Sequence, residues 1–76
     1  MRVVVEKFIV KRPVKYTVPK RWTSYTYARI FIDGEYKGEW FVMEHGSFKA
    51  FLEKAKKKYN FENYELRKGS SENRDF

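Results

Sequence analysis

The chain has no cysteine, no glutamine and only two prolines in 76 residues. Without cysteine it has neither a disulfide to brace the fold nor a thiolate to bind metal or attack a substrate. A single histidine, His45, leaves no cluster of ligands at metal-binding spacing. His45 stands beside Glu44, but a general base needs an orienting partner and a nucleophile within reach, which one neighbouring carboxylate does not supply. His45 is therefore expected as a surface turn residue, and no catalytic residue, metal or cofactor is expected. The glycines at 34, 38, 46 and 69 are scattered, which excludes a phosphate-cradling glycine loop. No apolar run is long enough for a transmembrane span or the core of a signal peptide, so no membrane association is expected. Together with the missing cysteines this points to a cytoplasmic protein.

Negative charge is also scarce. Ten Asp and Glu stand against seventeen Lys and Arg, a net charge of +7. Eleven of the cations are Lys and eight of the acids are Glu, a surface chemistry that resembles thermophile composition. The excess is uneven. Residues 1–24 carry seven cations and one acid, residues 25–46 two and four, and residues 47–68 seven and three. A surplus of this size favours partners rich in phosphate.

What the chain does have is apolar and aromatic content, 42% and 20%, enough to argue for one small folded domain. Residues 2–10 are rich in β-branched side chains and read as a strand. Pro13 and Pro19 rule out helix in the next stretch, leaving a long loop or a short edge strand through Val14, Tyr16 and Val18. Asp33-Gly34 between two β-prone runs marks a hairpin, because both central positions of a type I′ turn require positive φ. Phe48, Phe51, Leu52, Ala55 and Tyr59 follow helical spacing behind Ser47, a good N-cap, and Asn60 suits a left-handed stop. Residues 61–68 read as a final strand, and residues 69–76 as a flexible tail with little to bury. The expected fold is α+β: a two-layer sandwich of one antiparallel sheet of three to five strands, with a single helix over about 48–59 on one face. Residues 1–68 form the compact domain.

One helix covers one side of a small sheet, so the other side decides function. Along residues 25–32, Ala28, Ile30 and Ile32 point one way, and Tyr25, Tyr27, Arg29 and Phe31 the other. Arg29 would be costly under the helix, which assigns the aromatic set to the open face. The second hairpin strand depends on register. A two-residue turn places Tyr36, Trp40 and Val42 on the open face; a shift by one residue buries them and turns Lys37, Glu39 and Phe41 outward.

Exposed rings stack unpaired bases, and Lys and Arg attract phosphate. The candidate nucleic-acid-binding residues are Lys11, Arg12, Lys15, Lys20, Arg21, Trp22, Tyr25, Tyr27, Arg29 and Phe31. Lys49, Lys54, Lys56, Lys57 and Lys58 of the helix read either as a second phosphate-tracking face or as a solvated exterior. Single-stranded and duplex nucleic acid both remain open, since a strand hairpin followed by a helix can also lay its sheet in a major groove. Three competing readings stand beside this one. The proline-containing loop folds back over the open face, with Tyr16 and Trp22 capping it; the face forms a homodimer or a protein contact; or the chain is a small nuclease, for which no residue stands out.

Overall fold

The computed structural model of the protein describes residues 1–14 and 21–74. Among these residues five strands form one sheet: β1 (Val3–Pro13), β2 (Trp22–Ile32), β3 (Glu35–Phe41), β4 (Glu65–Lys68) and β5 (Glu72–Asn73). One α-helix among the described residues, α1 (Phe48–Tyr59), packs on one face, giving the expected two-layer α+β arrangement. The order is β3-β2-β1-β4, with β5 following β4 along the same side of β1. The sheet is mixed: β1–β2 and β2–β3 are antiparallel, while β4 and β5 both run parallel to β1. Tyr16 and Val18, proposed for an edge strand, lie outside the described residues.

Local chemistry sets the boundaries. Asp33 and Gly34 both take positive φ, 52° and 83°, as the tight turn requires. Asp33 also accepts the Arg2 N–H at 2.8 Å through its carboxylate, tying the hairpin tip to the start of β1. The Ser47 hydroxyl accepts the Ala50 N–H at 3.1 Å and caps α1. At the far end Asn60 adopts the left-handed conformation, φ 55° and ψ 57°, and the Phe61 N–H closes on the Lys56 carbonyl. Lys56, Lys57 and Lys58 sit where the helix dipole is negative.

The helix buries Phe51, Leu52 and Ala55 against Val3, Val5, Ala28, Ile30 and Val42, with Phe61 closing one end. Truncating a ring as deep as Phe51 typically costs about 3–5 kcal/mol, a large share of the stability of a domain this small. The core is short compared with the sheet. Twelve helical residues span about 18 Å, whereas eleven strand residues span about 36 Å. The molecule is accordingly elongated, 48 Å by 23 Å by 17 Å.

The hairpin uses each of the two registers in turn. Ile32 pairs with Glu35 and Phe31 with Tyr36, as a two-residue turn dictates. The register then shifts, and Ile30 pairs with Gly38. The extra residue, a β-bulge, inverts the rest of β3: Tyr36 stays on the open face, whereas Trp40 and Val42 join the core and Glu39 and Phe41 face out. Gly38 has φ 147°, a conformation that side chains disfavour.

Residues 69–74 carry more structure than their composition suggested. The Gly69 N–H donates to the Lys7 carbonyl and the Arg74 N–H to the Lys11 carbonyl, each at 2.8 Å, with β5 between them. A Cβ on Gly69 would stand 3.0 Å from both Glu6 Cγ and Phe8 Cβ, so a larger residue here would have to push these side chains aside by a few tenths of an ångström. The segment is held by backbone pairing and ion pairs, which hydrophobic patterning does not report.

Replacing Gly38 with Ala is expected to destabilise the fold by about 1–3 kcal/mol, because the bulge holds a backbone conformation suited to glycine. Chemical denaturation measures this. An unchanged midpoint would mean that the bulge does not depend on Gly38.

Candidate functional site

Strand alternation sends two different sets of side chains to the two faces of the β1–β2 ribbon. On the face away from α1, Phe8, Val10 and Tyr27 are buried, with Tyr25 and Phe41 packed against them. Tyr27 lies between Phe8 and Phe41, with ring centroids 6.0 Å and 5.1 Å away. Tyr25 meets Phe41 edge-on at 5.8 Å. Three guanidinium groups lie over these rings: Arg29 at 4.1 Å from Phe8, and Arg12 and Arg74 at 5.7 Å and 5.5 Å from Tyr27. The aromatic face is therefore a second small core. Tyr27, at 9% exposure, has little surface to offer a base.

Arg29 stands at the centre of that face with 27% of its side chain exposed. It meets glutamates from three strands: Glu72 of β5 at 2.7 Å, Glu6 of β1 at 3.4 Å and Glu39 of β3 at 3.7 Å. Arg74 bridges Glu39 and Glu72 at 2.8 Å and 2.9 Å, and Arg67 reaches Glu6 at 3.2 Å. The Glu72 carboxyl is held below its usual range, first by the hydrogen bond from Arg29 and then by that from Arg74. Glu72 in turn raises the Arg29 pKa, and Glu39, then Glu72, raise that of Arg74. This side of the sheet thus pairs its own charges.

The opposite face differs beyond the end of the core. Its positions on β1 are Lys7, Ile9, Lys11 and Pro13, paired across to Ala28, Thr26, Ser24 and Trp22. Lys68 lies beside Lys7 on β4, and Asn73 beside Lys11 on β5. Lys7, Lys11, Lys68, Ser24 and Trp22 are exposed, and Lys7 rests 5.0 Å over the Phe48 ring at the start of α1. No acid occurs in residues 7–32. The carboxylates nearest in the sheet, Glu6 and Glu72, project to the aromatic side.

The sequence-derived candidates are thereby divided. Lys11 and Trp22 lie on the lysine face. Arg12 lies half-buried over Tyr27, and Arg21, exposed, accepts the Val14 N–H at 2.7 Å through its carbonyl. Tyr25, Tyr27 and Arg29 belong to the aromatic core and its ion pairs. Phe31 is half-buried against Tyr36 at 5.6 Å, with Arg67 over its ring. Lys15 and Lys20 lie outside the described residues. Lys7 and Lys68 were missed. The available signal was the order Val3, Val5, Lys7: a lysine in the core register marks where the helix stops covering the strand.

His45 departs from its expected place in an exposed turn. It closes a short 3-10 turn (Val42–His45), and 8% of its side chain is exposed. Its ring packs at 5.6 Å from Trp40 and 6.2 Å from Phe51; Nε2 lies 3.4 Å from a Glu44 carboxylate oxygen, and among the described residues neither ring nitrogen makes a hydrogen bond. Local sequence could not show this, because the bulge is what brings Trp40 to that side.

Compared with protein families, curated proteins and solved structures, the chain shows no match. Among the described residues no helix is long and apolar enough to cross a membrane.

A depressed Glu72 pKa has a definite consequence. The unfolded chain binds this proton more readily, so the interaction stabilises the fold above the ordinary glutamate value of 4.5 and is lost as pH falls through the lowered folded value. Glu72→Gln should reduce stability at neutral pH and flatten the loss of stability on acidification. Thermal melts across that range measure both; an acid limb identical to that of the unmodified chain would show that Glu72 contributes nothing.

Proposed function

We propose that this chain is a small nucleic-acid-binding module, largely indifferent to sequence, that contacts backbone phosphates through lysines and acts without enzymatic activity. The observation that carries the reading is the separation of charge along the β1–β2 ribbon: Glu6, Glu39 and Glu72 pair with Arg29, Arg67 and Arg74 on one side, and Lys7, Lys11 and Lys68 are displayed on the other. Uncompensated cations release counterions from phosphate, which drives binding of this kind. A cytoplasmic setting fits the absence of cysteine.

Base stacking has a smaller part in this reading than composition alone implied, because Tyr27 is buried and Tyr25 packs on Phe41. The same packing weakens the competing reading, a homodimer or protein contact through the aromatic face. Phe8, Val10 and Tyr27 are already covered within one chain, which leaves less apolar surface for a partner.

Fluorescence anisotropy with labelled DNA and RNA oligonucleotides tests the proposal. Affinity should fall steeply as salt rises, with a log–log slope near −0.9 per phosphate contacted in a duplex. Reversing Lys7 and Lys11 together to Glu should weaken binding at least about tenfold and make that slope shallower by nearly two contacts. Absence of binding to every oligonucleotide at low salt would overturn the proposal.

A further inference from the structure

The sheet ends in two edges of different kind. β3 carries the bulge beside Gly38, which bends an edge and hinders a further strand from pairing with it. β4 pairs with β1 in unbroken register, and among the described residues no strand pairs with its other side. All four of its residues, Glu65 to Lys68, are exposed. Charged side chains often guard such an edge, so their order decides what can pair there.

The backbone supplies the first condition. The Gly69 N–H donates to the Lys7 carbonyl of β1. Along a strand paired on one side, the N–H and C=O of alternate residues point to the partner and to solvent, so those of Leu66 and Lys68 point away from β1. The side chains supply the second. Leu66 stands beside Val5 on the helix side, and Glu65 and Arg67 stand beside Val4 and Glu6 on the aromatic side.

A second copy of the chain meets both conditions. Two β4 strands related by a two-fold axis normal to the sheet run antiparallel and pair about one central residue. Centring on Glu65, Arg67 or Lys68 sets like charges directly opposite one another, which is destabilising. Centring on Leu66 sets leucine against leucine, Glu65 against Arg67 and Lys68 against Tyr64. The two Leu66 residues then exchange both of their outward N–H···O bonds. Their side chains cover one another on the helix side, where Leu66 is 55% exposed in the single chain. On the aromatic side Arg67, 3.2 Å from Glu6, meets the Glu65 of the second copy as well.

We infer that β4 is a self-association edge: two copies of this chain join through antiparallel β4 strands centred on Leu66, continuing one sheet across the dimer with both helices on the same side. The inference is independent of the nucleic-acid reading and uses a different surface from the aromatic face. The contact is small and the copies repel. Four residues a side fall short of the about 1,200 Å² of a stable interface, and each copy carries +7, so the dissociation constant is expected on the order of 100 µM.

Sedimentation equilibrium from about 10 µM to about 1 mM, at about 0.15 M salt, tests this. The unmodified chain should show a reversible monomer–dimer equilibrium across that range. Glu65→Lys and Arg67→Glu each set like charges opposite one another across the pair, and each should weaken association at least about fivefold. An equal mixture of the two variants should restore it, because each supplies the charge that the other then requires. Circular dichroism verifies the fold of both. Hydrogen exchange of the unmodified chain reads the same bond without any substitution: the Leu66 amide should exchange at least about twofold more slowly at the highest concentration than at the lowest. A monomer throughout, a dimer indifferent to both reversals, a mixture of folded variants that stays monomeric, or a Leu66 exchange rate independent of concentration would each overturn the inference.

Discussion

A guanidinium at the middle of a sheet face organises this molecule. The alternation that puts Ala28 and Ile30 beneath the helix leaves Arg29 on the other side, between aromatic rings. A charge held there needs partners, because removing it from water without them is costly. Glutamates from β1, β3 and β5 supply them, and Arg67 and Arg74 balance those glutamates in turn. One residue thereby ties strands far apart in sequence into a single sheet. The more exposed pair, Arg2 with Glu65, contributes under about 1 kcal/mol by comparison and fixes little.

The network has a second effect. By holding Glu6, Glu39 and Glu72 on the aromatic side it leaves the other side of the β1–β2 ribbon, from Lys7 to Lys11, lysine-rich and without acid among the described residues. Helix length completes the arrangement, since α1 ends its cover near Lys7 and the strands run on. A longer helix would bury Ile9 and force Lys11 to find a partner. The charge displayed to solvent thus follows from two constraints of folding, one electrostatic and one geometric.

Much of this was legible locally. Asp33-Gly34, Ser47 and Asn60 each act within a few residues of themselves, and the hairpin and both helix ends stand where those residues place them. What was not legible depends on distant partners. The bulge at Gly38 reconciles two registers that each satisfied only half of β3. β5 has almost no apolar pattern; its place is set by Glu72 meeting Arg29 across 43 positions. The covering of Tyr27 depends on Phe41, which the bulge turned outward, and on Arg12 and Arg74. Of the candidate site, the cations of residues 11–21 were apparent from composition. The division of the ribbon into a lysine face and an aromatic core required the strand pairing.

The most direct test of charge separation is residue-by-residue amide chemical-shift mapping during titration with duplex DNA. The account predicts perturbations concentrated at Lys7, Ile9, Lys11, Ser24 and Thr26, with Glu39 and Glu72 little changed. Perturbations centred instead on Phe31, Tyr36 and Arg67, or on the outer lysines of α1, would contradict it.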